Sequence, residues 1–364
     1  MEEAARRLSG VVSAGLPLGR IGSHVFALVE NDPDRVDQLV SAVQEVMQRP
    51  FALSAESATI TCSIGVSAVV DEAADPDNLL RKAEIALRNA QMHGGDRVRL
   101  YELALDAALQ ARKVLENDLR AALAGHELTI MYQPQLNVGG AVVGVEALLR
   151  WHHRERGDVP PDYFVSLAEE SDLIHDLGRY TISQVFADAL QWPDLRVAFN
   201  VFASQLRRAD YLSGLTTALT ETGADPSRFE IEITEQALLQ PDTQTQQNLH
   251  GLRNLGVTLA LDDFGVGYSS LNYLLRHHVD RIKIDRSFVK PLGVDASVES
   301  VVSAMIKLGD ALNLRVVAAG VETEAQRNRL VQLGCKEFQG SLLSAPLPAE
   351  VIGALVSAKP ALAA

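Results

Sequence analysis

The chain is predicted to be an α/β protein, a (β/α)8 TIM-like barrel preceded by a small α/β unit. Three observations predict this. Its 364 residues suit about two domains. A composition of 47% hydrophobic and 22% charged residues, with 25 Gly and 14 Pro, is that of a globular protein able to fill a sizeable core. From Leu128 onward, about eight strand patterns alternate with helical ones.

The front unit reads in order as strand, helix, strand, helix, strand. His24–Glu30 is strand-like, and Pro33–Gln48 places Val36, Leu39, Val40, Val43 and Val46 on one helical face. The β-branched run Ala58–Val70 is the next strand candidate. Asp77–Met92 returns to helical spacing, and Val98–Tyr101 closes the unit. Leu103–Ala124 is Leu/Ala-rich with almost no turn residues, which predicts a stiff connecting helix ended by Gly125. The expected division is therefore 1–102, a linker helix 103–124, and a barrel unit 125–364.

In the barrel unit the expected strands are Thr129–Gln133, Val142–Leu149, Val197–Val201, Phe229–Thr234, Thr258–Asp262, Arg281–Ile284, Arg315–Ala318 and Glu337–Gln339. Helical patterns at Asp162–Asp176, Arg179–Gln191, Ala203–Thr222, Asp242–Leu255, Ser297–Leu312 and Thr323–Leu333 separate most of them. A doubly wound open sheet is the alternative, but it normally has fewer strands.

Charge and composition narrow the function. With 33 Lys and Arg against 47 Asp and Glu, the net charge is −14. Such a surface repels polyphosphate and argues against nonspecific nucleic-acid binding. A small anionic ligand stays compatible where metal ions or a few placed Arg and Lys offset the field. No stretch approaches about 18 uncharged apolar residues, so no membrane span is expected. The N-terminal segment lacks the basic start and apolar core of a signal peptide. Cys62 and Cys335 lie in apolar contexts far apart and read as buried thiols. The adjacent pairs His152-His153 and His277-His278 do not have the spacing of a zinc site. A soluble, cytoplasmic protein is expected.

Acidic residues recur at strand ends: Glu146, Glu232, Asp262 and Asp263, with Asn200 at an equivalent position. The C-terminal face of such a barrel carries the chemistry, and inward carboxylates there need a partner. Converging hard oxygen ligands suit Mg²⁺ or Mn²⁺. The adjacent Asp262-Asp263 could serve two metals about 4 Å apart. Lys283, on the next strand, could hold a phosphate or a metal-bound water. The alternative is that strand-end Asp residues cap the following helices, which leaves Glu232 and Lys283 unexplained.

Glu146-Ala147-Leu148-Leu149-Arg150-Trp151 resembles the signature of the EAL domain family, the cyclic di-GMP phosphodiesterases. Further motifs agree in order: Tyr132-Gln133-Pro134, Asn200-Val201, Glu232-Ile233-Thr234-Glu235, Asp262-Asp263-Phe264-Gly265, Tyr268-Ser269-Ser270-Leu271, Lys283-Ile284-Asp285 and Gln339-Gly340. The resemblance covers about Leu128 to Ala354. It implies that Glu146, Asn200, Glu232, Asp262 and Asp263 are ligands of a two-metal Mg²⁺ or Mn²⁺ site. It implies that Lys283 positions the attacking water and that Glu235 braces the loop after Asp263, which also shapes a homodimer interface. Gln133, Glu146, Leu148, Arg150, Asn200, Asp285 and Gln339 would contact cyclic di-GMP, which the family hydrolyses to pGpG. Metals together with Arg150 and Lys283 reconcile an acidic protein with a ligand that carries two phosphates.

One departure from the family pattern stands out. Where the family reads Ala-Glu-Gly-Val-Glu, this chain reads Ala318-Ala319-Gly320-Val321-Glu322, so Ala319 replaces a glutamate expected near the metals. Loss of such a base or ligand costs several decades of rate. Val266, Phe202 and Ser341 depart in smaller ways, from Thr, Ser and an aromatic residue.

The front unit resembles the C-terminal part of a GGDEF, or diguanylate cyclase, domain. Arg20-Ile21-Gly22-Ser23-His24-Val25-Phe26 aligns with Arg-Leu-Gly-Gly-Asp-Glu-Phe, and Ser63-Ile64-Gly65-Val66 and Asp96-Arg97-Val98 support the match. His24 and Val25 replace the acidic pair, so cyclase activity is not expected. Three functions follow: an active phosphodiesterase, a cyclic di-GMP-binding protein with strongly impaired hydrolysis that reports to a protein effector, or a ligand-independent interaction module. Retention of the acidic set, Lys283 and Arg150 speaks against the third, and Ala319 against the first.

Overall fold

The computed structural model describes residues 1–12, 17–52, 57–68, 75–92, 94–125, 127–239, 242–266, 274 and 279–357. The chain divides into two compact units, Met1–Leu115 and Glu116–Ala364.

In the first unit, a helix Glu2–Ser9 precedes an antiparallel hairpin, Leu18–Arg20 with Phe26–Leu28. The expected strand at His24–Glu30 is thus shorter, because His24 and Val25 belong to the turn. Ile21 N–H donates to Val25 O at 3.0 Å, and the Arg20 guanidinium donates to Gly22 O at 2.9 Å and Ser23 O at 2.6 Å. Helix Val36–Gln48 follows a 3-10 turn capped by Asp32. Ile64–Val66 and Val98–Leu100 form a parallel pair, joined through helix Pro76–Met92. Gly65 has a packing reason: a Cβ there would lie 2.2 Å from Ala83 O, so the helix backbone rests directly on the strand. The long run expected at Ala58–Val70 is two short strands, Ser57–Ala58 and Ile64–Val66, and its end lies outside the described residues. Ala4, Leu8, Val43, Met47 and Phe51 form the core. Cys62 is only half-buried, whereas Cys335 is buried, so one of the two expected buried thiols is partly exposed.

Helix Leu103–Gly125 is a single element as the composition predicts, and the division between units falls within it. Its second half is not a solvated rod. Leu119 and Ala122 are buried, and buried His153 Nε2 donates to Asp118 Oδ2 at 3.1 Å. His153 Nδ1 accepts from Glu155 N–H, which fixes that tautomer.

The second unit is a closed eight-stranded barrel. Its strands are β1 (Leu128–Asn137), β2 (Val142–His153), β3 (Arg196–Asn200), β4 (Phe229–Thr234), β5 (Thr258–Phe264), β6 (Arg281–Ile284), β7 (Arg315–Ala318) and β8 (Glu337–Gln339). They pair in sequence order from β2 to β8, and β8 returns to β1, which pairs with β2. Seven strands run parallel as expected, but β1 is antiparallel to both neighbours. The reason is local. Only Val138–Ala141 separates β1 from β2, too short for a crossover, and Gly140 at φ +79 with Asn137 Oδ1 accepting from Ala141 N–H makes a hairpin.

One expected helix, Ala203–Thr222, is broken in two, and the boundary between the two expected at Asp162–Asp176 and Arg179–Gln191 lies earlier in the chain. Pro161–Glu170 and Ile174–Ala189 are divided at Asp172, φ +60, and Ala203–Leu206 is separated from Tyr211–Thr222. The aliphatic core lies between strands and helices: Val145, Val197, Phe199, Ile231, Leu259, Ile282 and Phe338 all belong to it. These occupy one parity of each strand. The opposite parity, facing the barrel axis, carries Glu146, Arg196, Asn200, Glu230, Glu232, Asp262, Arg281, Lys283, Glu337 and Gln339. The barrel interior is therefore polar, unlike the usual layers of branched aliphatics.

Candidate active site

Register places the site. Gln133 on β1 lies opposite Glu146 on β2, and Asn200 on β3 opposite Glu232 on β4. Alternation then sends these side chains, and Lys283 on β6, to the same inner face.

Lys283 Nζ is the centre of the cluster, 2.6 Å from Glu232 Oε2, 3.2 Å from Glu146 Oε2 and 3.3 Å from Asp262 Oδ1. One oxygen from each of these three carboxylates lies within 4.8 Å of the others. Asn200 Nδ2 donates to Glu146 Oε1 at 3.0 Å, and Gln339 Nε2 donates to Glu146 Oε2 at 2.6 Å and to Gln133 Oε1 at 3.0 Å. Gln133 Nε2 in turn donates to Ser344 O at 3.1 Å.

The electrostatics follow from burial and from three carboxylates facing one ammonium. Burial and the Glu146 charge push Glu232 well above the usual carboxylate range, with Lys283 opposing only in part. Burial also acts against ionised Glu146, but the Lys283 charge and hydrogen bonds led by that of Gln339 hold it below the ordinary value. Burial would lower Lys283, yet Asp262, Glu146 and Glu232 outweigh it and keep the amine well above its ordinary range. The excess negative charge and the hard-oxygen donor set suit a divalent cation. Among the described residues, buried Glu232 Oε1 finds no hydrogen-bond partner, so it has acceptor capacity left for such a ligand. The residues present fit a hard divalent cation.

The other sequence-predicted residues sit around this cluster. Asp263 lies outside the three-carboxylate group, at φ +54 beside an irregularity in β5. Its pKa is raised by burial and then by the charges of Asp262 and Asp285. Asp285 caps the helix Arg286–Val289 by accepting from Ser287 N–H at 2.9 Å. Capping thus accounts for Asp285 and not for Glu232 or Lys283. Burial opposes ionisation of Asp285, but hydrogen bonds led by that of Ser287 lower its pKa. Arg150 Nη1 donates to Leu149 O at 2.7 Å, and Leu148 is half-buried opposite Met131. Buried Glu235 accepts from Gly265 N–H at 3.2 Å, so it holds the start of the loop after Asp263. Most of the segment read as a dimer contact, 267–273 and 275–278, lies outside the described residues, as do His277 and His278.

Ala319 follows β7 directly, and its N–H donates to Ile284 O at 3.0 Å. Val317 pairs with Lys283, so Ala319, two residues on, shares the inward parity. Among the described residues, the carboxylate cluster takes no member from this strand end. Sequence reasoning missed Gln135, Arg196, Glu230, Arg281 and Glu337, which fill the opposite end of the barrel; their signal was the same period of two that marks Gln133 and Glu146.

Comparison with known proteins identifies two families. The EAL domain model matches residues 116–346, and the diguanylate cyclase GGDEF domain model matches residues 1–97. An uncharacterized signaling protein of Caulobacter vibrioides is 36% identical over 96% of this chain and 44% of its own length. The bifunctional diguanylate cyclase/cyclic di-GMP phosphodiesterase MucR of Pseudomonas aeruginosa is 34% identical over 98% of this chain and 53% of its own length. The chain therefore spans about half the length of these relatives. Among solved structures, the PaMucR phosphodiesterase in complex with c-di-GMP is 39% identical with a TM-score of 0.63, covering 66% of this chain and 99% of that one. Among the described residues, no helix is long and apolar enough to cross a membrane.

Proposed function

This chain belongs to the EAL domain family and carries a GGDEF-domain segment ahead of it, and on that premise we propose a cyclic di-GMP-binding protein whose hydrolysis is strongly impaired. The observation that supports it most is the combination at the barrel's C-terminal face. Glu146, Glu232 and Asp262 converge around Lys283, while Ala319 leaves the end of β7 without a carboxylate.

Glu146, Asn200, Glu232, Asp262 and Asp263 would hold Mg²⁺ or Mn²⁺, in a two-metal arrangement. Bound metal supplies Lewis acidity toward a phosphoryl oxygen and lowers the pKa of a bound water. Lys283 donates toward the attacking water, and its ammonium stabilises charge developing on the phosphoryl oxygens. Arg150 binds phosphate, and Gln133, Leu148, Asp285 and Gln339 contact the dinucleotide. Glu235 keeps the loop after Asp263 in place. Without the glutamate at position 319, the site binds and orients the phosphodiester but lacks a proton acceptor beside the water.

The division into a GGDEF-like segment 1–102, a helix 103–124 and an EAL unit 125–364 belongs to this reading, together with a cytoplasmic location, a homodimer through the EAL unit and a protein effector. Sedimentation at high protein concentration tests the dimer, and a strictly monomeric chain counts against it. The decisive experiment incubates the chain with cyclic di-GMP and Mg²⁺ or Mn²⁺, followed by chromatography for pGpG and calorimetry for binding. Binding with little or no product is expected. Rapid conversion to pGpG rejects the impairment, and absence of binding rejects the reading.

A further inference from the structure

Gln135 on β1 lies opposite Gly144 on β2 and opposite Gln339 on β8, and it is fully buried. Its Oε1 accepts from Arg281 Nη1 at 2.9 Å and Arg196 Nη2 at 3.2 Å. Both guanidiniums are anchored by acids at the N-terminal end of the barrel. Arg281 Nη2 donates to Glu337 Oε2 at 2.6 Å, and Glu230 Oε2 lies 3.3 Å from Arg281 Nε. Gly144 leaves the space for this packing, since a Cβ there would meet Arg196 Nη2 at 3.0 Å and Gln135 Oε1 at 3.1 Å.

Arginine has only donors, so it dictates which way the amide of Gln135 turns. The carbonyl must face the guanidiniums, and Nε2 then donates to Gln339 Oε1 at 3.1 Å. That bond settles the sense of the second amide. With its carbonyl occupied, Gln339 presents Nε2 to Glu146 Oε2 and to Gln133 Oε1. A flipped Gln339 would set its carbonyl against the carboxylate.

We propose that Gln135 is a positioning residue that transmits the orientation imposed by Arg281 and Arg196 through Gln339 to the carboxylate of Glu146. It acts on the metal-binding face from the opposite end of the barrel and touches neither metal nor substrate. The inference rests on the reading of Glu146 as a metal ligand.

Two substitutions separate positioning from structural support. Gln135→Glu keeps the acceptor for both arginines and deletes the donor to Gln339, so Gln339 turns its Nε2 toward position 135 and its carbonyl toward Glu146. Gln135→Met deletes both functions at similar size, taking one acceptor from each guanidinium while leaving Gln339 free to adopt either sense. The full chain, stripped of metal, is titrated with Mn²⁺ by calorimetry, and its thermal unfolding is recorded separately. Gln135→Glu should weaken Mn²⁺ binding about tenfold or more, the usual scale for a partner behind a metal ligand. Gln135→Met should bind Mn²⁺ better than Gln135→Glu yet melt at a lower temperature. A purely structural role puts both measurements in the same order. Gln135→Glu binding Mn²⁺ within about twofold of the parent overturns the inference while leaving the proposed function standing. Failure of both variants to fold overturns it in favour of structural support. A parent chain that binds no Mn²⁺ overturns the metal reading and this inference with it.

Discussion

Lys283 Nζ lies 2.6 Å from Glu232 Oε2, and both side chains are buried on the inward-facing parity of their strands. A buried pair of this kind is tolerated when charge and hydrogen bonding are balanced. Here the balance is incomplete, because Glu146 and Asp262 share the same ammonium. The cluster therefore sets three carboxylates against one ammonium.

Lys283→Met leaves three carboxylates without a counter-charge. It should destabilise the metal-free chain by about 3–5 kcal/mol, the range for breaking a buried pair from one side. Mn²⁺ should then raise its melting temperature by more than it raises that of the parent, since the metal replaces the missing charge. Equal shifts in the two proteins, read by thermal unfolding with and without Mn²⁺, would contradict the charge assignment.

Ala319→Glu restores a carboxylate at the end of β7. Turnover of cyclic di-GMP should rise by at least about 100-fold, the scale of a general base. Affinity should change little, because the added group acts mainly in the transition state. Initial-rate assays by chromatography check this. An inactive variant that still binds ligand shows that Phe202, Val266 and Ser341 also hold the rate down.

Arg150→Ala should weaken cyclic di-GMP binding by about 10–100-fold, corresponding to the roughly 1.5–3 kcal/mol of a hydrogen bond to a charged group. Divalent metal should strengthen binding in the parent. A tight complex in calorimetry that survives the substitution and ignores metal refutes the assignment of Arg150.

Gly340→Ala places a Cβ about where the Val321 backbone runs: 2.2 Å from Val321 O and 2.3 Å from its N. Backbone cannot step aside as a flexible side chain can, and the Val321 N–H to Gln339 O bond at 3.0 Å crosses the same point. The substitution should cost about 3 kcal/mol, the upper part of the range for overpacking. Urea unfolding measures it, and a loss under about 1 kcal/mol contradicts the tight approach.

The sequence by itself determined the succession of strands and helices, because hydrophobic period is a local property. Phe229–Thr234, Arg281–Ile284, Arg315–Ala318 and Glu337–Gln339 occur at the positions their patterns predict. It also carried the acidic set, Lys283 and the alanine at 319, since these depend on motif order alone. Only the tertiary structure decided that β1 runs antiparallel, and that helix Leu103–Gly125 docks its second half through Asp118 and His153. The same holds for Asp285, which caps a helix, while Glu232 enters the cluster. Pairing register turned a period of two into a shared axis: Gln135 and Gln339, 204 residues apart, meet because β8 closes on β1. No local pattern encodes that closure. It arises because unpaired strand edges and half-buried faces are satisfied together only when the sheet returns on itself.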